Sequence, residues 1–270
     1  MKCSSMLPIR HSTAPKAAAA TRSGRRRKIK LDQPFLVAVL ICLWLLLPVS
    51  GFAKDRESER FNDWIKYYYL HKDNRNVVPA IKHFFTRQNE RSEISQMALI
   101  GSFAQLFILH PQQAVDWIKA AGLGAEQRKP LIYSLWYAGL GDAAQQLARD
   151  DRWHETAQQQ LAGSAPALSQ LSLTKPADVG LLWGAYRISG DAIYIQHLIQ
   201  LLLRHEAGNR TADKSIVSVI ATSLNRYRRG HEQAESQFES VRKQLSAANR
   251  LTLDLLVSEH TADVETVDCD

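Results

Sequence analysis

The stretch His231-Glu232-Gln233-Ala234-Glu235 has the nearest spacing to metal chemistry in the chain. Positions four apart share a helix face, so His231 and Glu235 could address one ion, with Glu232 as a base. A metalloprotease helix carries histidine at the fifth place, and no third ligand stands out. The plainer reading is a polar first turn after Gly230, its acids favoured by the helix dipole. The stretch from His154 to Gln158 fails the same test at Gln158. Asp151 and His154, three apart, could hold one side of a metal. Carboxylate-bridged helical sites need such sets from several helices, so both are expected as surface residues at a helix start. His83, His197 and His205 are scattered, with no positioned nucleophile beside them. No G-x-S-x-G, Walker loop or G-x-G-x-x-G occurs. No catalytic, cofactor-binding or metal-ligating residue is therefore assigned, and no cofactor is expected.

Aromatic side chains are the second candidate. Trp64, Tyr67, Tyr68 and Tyr69 cluster on the first helix of the mature chain, and Trp117, Trp136, Tyr137, Trp183 and Tyr186 sit on later ones; the binding candidates among them are Trp64, Tyr67, Tyr68, Trp183 and Tyr186. Exposed on a concave helical face, these five would bind a peptide or a partner helix. Their competing role is helix-packing core.

The elements that position these residues begin after a leader. Arg25-Arg26-Arg27-Lys28-Ile29-Lys30 precedes an unbroken apolar run from Phe35 to Leu47, then Pro48 and the small pair Gly51 and Ala53. A cationic flank, an apolar core and a small-x-small end describe a signal peptide over residues 1–53, cut between Ala53 and Lys54. Pro48 is expected to leave the cleavage segment extended. The alternative is an inner-membrane anchor over residues 34–53. Both readings place the rest outside the cytoplasm, and a membrane is a partner only through an uncleaved leader.

Removing the leader takes nine of the 34 cations and one of the 27 anions, leaving 25 against 26. The formal charge falls from +7 to −1, so the basicity belongs to the leader and nucleic acid is not the expected partner. Arg226, Arg228 and Arg229 sit at a helix end, where they complement the dipole. Cys3 and Cys42 leave with the leader, so the mature chain holds only Cys269 and forms no internal disulfide. Its fold must rest on apolar packing.

Apolar spacing of three and four predicts helices throughout. A first runs from about Glu57 to His71, and a second holds Val77, Ile81, Phe84 and Phe85. A third, capped by Ser92 and reaching Leu109, is apolar on most sides and should be central. Pro111 suits the first turn of a fourth, ended by Gly122. Others run from Ala125 to Ala138, from Gly141-Asp142 to Arg149, and around Trp153 to Leu161. Residues 163–176 read as a linker or crossing loop between lobes at 54–162 and 177–258. Thr174 is expected to cap a helix through Trp183 and Tyr186. Further helices hold Ile193 to Leu202, Thr211 to Arg229, Ala234 to Leu245, and Leu251 to Val257. Residues 259–270 form an acidic tail expected to be disordered.

Tyr137–Ala144, YAGLGDAA, aligns without a gap on Tyr186–Ile193, YRISGDAI. Glycine ends one helix in the left-handed region and aspartate caps the next, assigning turn roles to Gly141, Asp142, Gly190, Asp191 and Gly230. The expected fold is all-α: an irregular, tetratricopeptide-like solenoid of antiparallel helix pairs, or a two-lobed helical bundle. The stretch Asp178–Ile195, DVGLLWGAYRISGDAIYI, resembles the centre of uncharacterised secreted bacterial proteins that carry a leader, a Trp- and Tyr-rich first helix and an LWGA-x-x-x-x-GD turn. The resemblance implies an exported bacterial helical protein and brings no catalytic residues. The expected function is a non-catalytic interaction or scaffold protein of the cell envelope, in the periplasm, with a protein or peptide partner. The alternatives are an envelope enzyme such as a cell-wall hydrolase, and a carrier of an apolar ligand.

Overall fold

A computed structural model describes residues 50–87, 91–207 and 211–259. The basic run, the apolar stretch, the three cysteines and the tail from residue 260 lie outside them. Every regular element among the described residues is helical. No helix there is long and apolar enough to cross a membrane.

Helix α1 (Ser50–Lys66) buries Phe61 and Ile65 and ends one residue before Tyr67. The Ala53–Lys54 bond therefore lies in the first turn of a helix, not in an extended segment as expected. Pro48 is two residues upstream of that helix, and proline does not oppose a helix that starts after it. The expected single helix to His71 is broken. Tyr67 (φ −115°, ψ 15°) separates α1 from the one-turn α2 (Tyr68–His71), which stops at left-handed Lys72 (φ 46°).

α3 (Val77–Thr86) buries one face, and α4 (Glu93–Leu109), capped by Ser92, is buried at nine consecutive positions from Leu99 to Phe107. α5 (Ala114–Ala120) starts after a turn that contains Pro111 and ends before left-handed Gly122. α6 (Ala125–Tyr137), α7 (Gly141–Asp150) and α8 (Glu155–Gln160) complete the first lobe. Residues 163–176 are not a free linker. Leu168, Leu171 and Leu173 bury themselves in the second core. The carboxylate of Asp178 then accepts from the Thr174 and Lys175 amides and the Thr174 hydroxyl, at 2.9–3.1 Å. Thr174 is thus a donor to this turn rather than the expected cap.

The second lobe holds α9 (Val179–Ser189), α10 (Ala192–Glu206), α11 (Thr211–Gly230), α12 (Glu232–Gln244) and α13 (Ala247–Glu259). Two hydrophobic cores result, one drawn mainly from residues 61–161 and one from 168–257. Ile100 and Ala104 of α4 belong to the second core, and Ile188 of α9 to the first. The described helices nonetheless cluster as one compact unit.

The wall between the cores is the α4–α9 pair. Gly180 and Gly184 are four apart and share a face of α9. A Cβ on Gly180 would meet the Ile94 carbonyl and the Ala98 amide; one on Gly184 would meet the Ala98 carbonyl and the Ser102 amide; one on Gly101 would meet Leu181. Residue numbers rise together along both helices, so the pair is parallel, with the backbones themselves in contact. Ser102 Oγ donates to the Gly184 carbonyl at 3.2 Å. The Gly-x-x-x-Gly within GLLWG is what permits this contact, because a side chain at either position would occupy the space that the α4 backbone fills. The fold among the described residues is all-α, as expected.

Of the turn assignments, Gly190 and Asp191 hold. Gly190 is left-handed (φ 66°), and Asp191 Oδ1 accepts from the Ile193 amide at 3.0 Å. Gly141 and Asp142 do not play those parts. The left-handed stop is Gly139 (φ 77°), two residues earlier, which places Gly141 at the first helical position of α7 and leaves α7 without a side-chain cap. Gly230 is not left-handed either; it is the last residue of α11, with His231 in extended conformation after it.

Candidate functional site

Three separate chain segments meet beside the Gly190 turn. The Tyr69 ring lies over Gly190, its Cδ2 2.7 Å from where a Cβ would stand. Its hydroxyl is 3.0 Å from His231 Nε2. Tyr67 stacks on the same imidazole (centroids 5.7 Å apart, planes at 28°), and the Lys66 ammonium lies 5.0 Å from the Tyr67 ring centre. Tyr186 presents an edge to His231 at 6.4 Å. On the inner side Trp183 stacks flat on Tyr227 (3.9 Å, 7°), with Arg187 5.2 Å from the Tyr227 ring centre. Gln233 and Gln237 both donate to the Gly190 carbonyl, at 3.1 and 2.8 Å.

His231 therefore does not share a ligand face with Glu235. It stands ahead of α12, facing tyrosines, while Glu235 is turned to Arg228 in a bidentate ion pair. Asp151 and His154 also part. Asp151 is not the expected surface residue: its carboxylate is 1 % exposed and paired on both oxygens with Arg128, and His154 is exposed. Among the described residues no three His, Cys, Asp or Glu side chains group as metal ligands.

The five candidate aromatics divide. Tyr68, Trp183 and Tyr186 are buried and offer nothing to a partner, because the lobes need their bulk as core. Trp64 is half-buried and spends its indole N–H on the Asp73 carbonyl at 2.9 Å. Tyr67 is half-buried against His231. Sequence reasoning weighed Tyr69 and His231 separately, as an aromatic and as a metal candidate, and missed their pairing and the aliphatics around them. The signal was present in Tyr67-Tyr68-Tyr69-Leu70: four consecutive large side chains exceed what one helical face can bury.

Polar atoms at this junction are under-satisfied. Tyr186 Oη, Tyr227 Oη, His231 Nδ1, Gln237 Oε1 and Arg187 Nε are buried without a hydrogen-bond partner among the described residues. Burial, then the Lys66 charge, holds the His231 imidazole below its ordinary value. Burial, then Tyr67, pushes the Tyr69 phenol up; burial, then Tyr69 and Tyr227, does the same to Tyr186. The imidazole is thus neutral and the phenols protonated at neutral pH. A catalytic histidine is oriented by a third group on its other nitrogen; His231 Nδ1 has no hydrogen-bond partner among the described residues. The cluster joins α2 to α9 and α12 through ring contacts and hydrogen bonds.

At the same end stand exposed aliphatic side chains: Leu70 (58 %), Ile108 (43 %), Leu109 (45 %) and Ile193 (43 %). Three contacts bring them there. Tyr68 Oη bonds His110 Nε2 just past α4 at 3.0 Å, Tyr69 covers Gly190, and Tyr194 Oη donates to Gln105 of α4 at 2.7 Å. Elsewhere an open cleft of about 550 Å³ is lined by Asn225, Arg228, Arg229, Glu235, Asp254 and Val257, and most of its charges neutralise one another.

No family model, curated protein or solved structure matches the chain.

Proposed function

We propose that this chain is an exported, non-catalytic helical interaction protein of the bacterial cell envelope, and that it docks a protein or peptide at the end bearing Leu70, Ile108, Leu109 and Ile193. The observation that carries the reading is that these exposed aliphatics stand on three elements, α2, α4 and α10, which the Tyr68–His110, Tyr69–Gly190 and Tyr194–Gln105 contacts tie together. Single exposed apolar residues are ordinary, whereas a contiguous set marks a contact surface. Export is supported by the cationic and apolar leader and by the resemblance to secreted bacterial proteins. The near-neutral mature segment favours a protein partner over nucleic acid.

The test is affinity capture of the tagged chain from cell envelopes with quantitative mass spectrometry. A Leu70→Asp/Ile193→Asp variant should lose a partner that the wild type and a distant Leu251→Asp control both retain. Equal retention by all three sinks the reading. The same sample reports the mature N-terminus: a start at Lys54 supports cleavage, and an intact leader supports the anchor.

A further inference from the structure

α13 is the last helix of the described chain, and it carries two apolar faces. Leu253, Leu256 and Val257 turn inward, into the core that α10 and α11 share. Leu251 and Leu255 are 63 % and 50 % exposed. At about 100° per residue they lie on the opposite side of the helix, in line with exposed Ala248 and Ser258. The steps from 248 to 251, 255 and 258 are three, four and three, the a/d spacing of a coiled-coil seam. The seam presents little polarity. Ser258 Oγ donates to the Leu255 carbonyl at 2.8 Å, and Thr252 Oγ1 to the Ala248 carbonyl at 3.2 Å. The outermost helix of a stack ordinarily shows a polar face to water; this one shows leucines.

We propose that this stripe docks on the same stripe of a second copy of the chain, as an antiparallel, two-fold helix pair. The register names the occupant. A two-fold axis beside Leu253 sets Leu251 opposite Leu255 of the second copy, and Ala248 opposite Ser258. Both pairs are centred on position 253, so leucine meets leucine and small residue meets small residue in every layer. Such self-complementarity is what an isologous interface requires. The charges fit the same arrangement. Exposed Glu259 stands opposite Ala247 of the second copy, at the positive end of that helix's dipole. Asp254 flanks the seam, and its carboxylate is held by Arg242 of its own chain. No free carboxylate is therefore set against another. The seam is about three turns long, which places the pair among small, reversible interfaces. The proposal rests on α13 alone and stands or falls apart from the partner assigned to Leu70 and Ile193.

Disulfide trapping tests the register in a full chain whose Cys3, Cys42 and Cys269 are changed to serine. With Ala248→Cys and Ser258→Cys together, mild oxidation of cell envelopes should give a band at twice the chain mass. Either substitution alone should give none, because each position stands about 15 Å along the seam from its own copy, too far for a disulfide. Adding Leu251→Gln/Leu255→Gln, two exposed positions changed to another good helix former, should remove the band and leave the helical circular dichroism unchanged. Sedimentation equilibrium of the full chain from about 5 to about 500 µM should show a monomer–dimer equilibrium, at least tenfold weaker in the glutamine variant. Absence of the band, linking by a single variant, or a band that survives the glutamines overturns the proposal. A band at another mass assigns the stripe to a different protein and also overturns it, as does a chain that stays monomeric at every concentration.

Discussion

Tyr69 Oη lies 3.0 Å from Nε2 of His231, 162 positions further along the chain. This bond ties the first turn after α1 to the second lobe, over a glycine that no side chain could replace. Tyr69→Phe keeps the ring over Gly190 and removes the bond, leaving a part-buried ring nitrogen unpaired. A loss of about 1 kcal/mol is expected, read from the urea midpoint at neutral pH.

Gly184→Ala should be far more damaging. Its Cβ would meet the backbone of Ala98 and Ser102, so the parallel pair must separate. Because both cores close on that pair, the expected cost is about 3 kcal/mol or more. Denaturant unfolding measures it; a cost below about 1 kcal/mol would show that the helices can part cheaply.

Gly190 and Gly139 separate backbone from packing. Both have positive φ, but an added Cβ at Gly139 meets nothing within 4 Å, and one at Gly190 meets the Tyr69 ring. Gly139→Ala should cost about 1 kcal/mol for the left-handed backbone. Gly190→Ala should cost more and should raise exchange at residues 67–72, since Tyr69 must move.

The Arg128–Asp151 pair places a carboxylate 1 % exposed against a guanidinium 28 % exposed. Arg128→Ala leaves that carboxylate buried and unpaired, and about 3 kcal/mol should be lost. Replacing both residues, Arg128→Met with Asp151→Leu, should recover most of it. Thermal and urea unfolding of the three chains give the comparison.

Global stability should also depend on pH. His83, like His110 and His231, is held low, chiefly by burial. Their contribution is complete above about pH 6.5 and is lost as pH falls through the lowered values. Urea midpoints should be level from about pH 7 to 8 and decline below about pH 6.

The apolar spacing that forecast α3, α4, α6, α10 and α12 survived into the structure because burying one face is a local demand on a helix. So did the central place of α4, whose apolar residues surround it on every side. The turn signals were less secure. YAGLGDAA and YRISGDAI match in letters, but Gly139 stands where only the first of them offers a second glycine, and the chain stops its helix there.

By itself the sequence determined the helical character of the described residues, most of the segments that become helices, and a charge split between a basic first 53 residues and a near-neutral remainder. These follow from composition and from periodicities within a dozen residues. Tertiary structure alone decided that GLLWG is a backbone-contact surface for α4, that Tyr68 and Tyr69 diverge to two histidines, and that Asp151 is buried. Each depends on which groups, 23 to 162 residues apart, are pressed together. No local pattern encodes that choice; the packing of the two cores makes it.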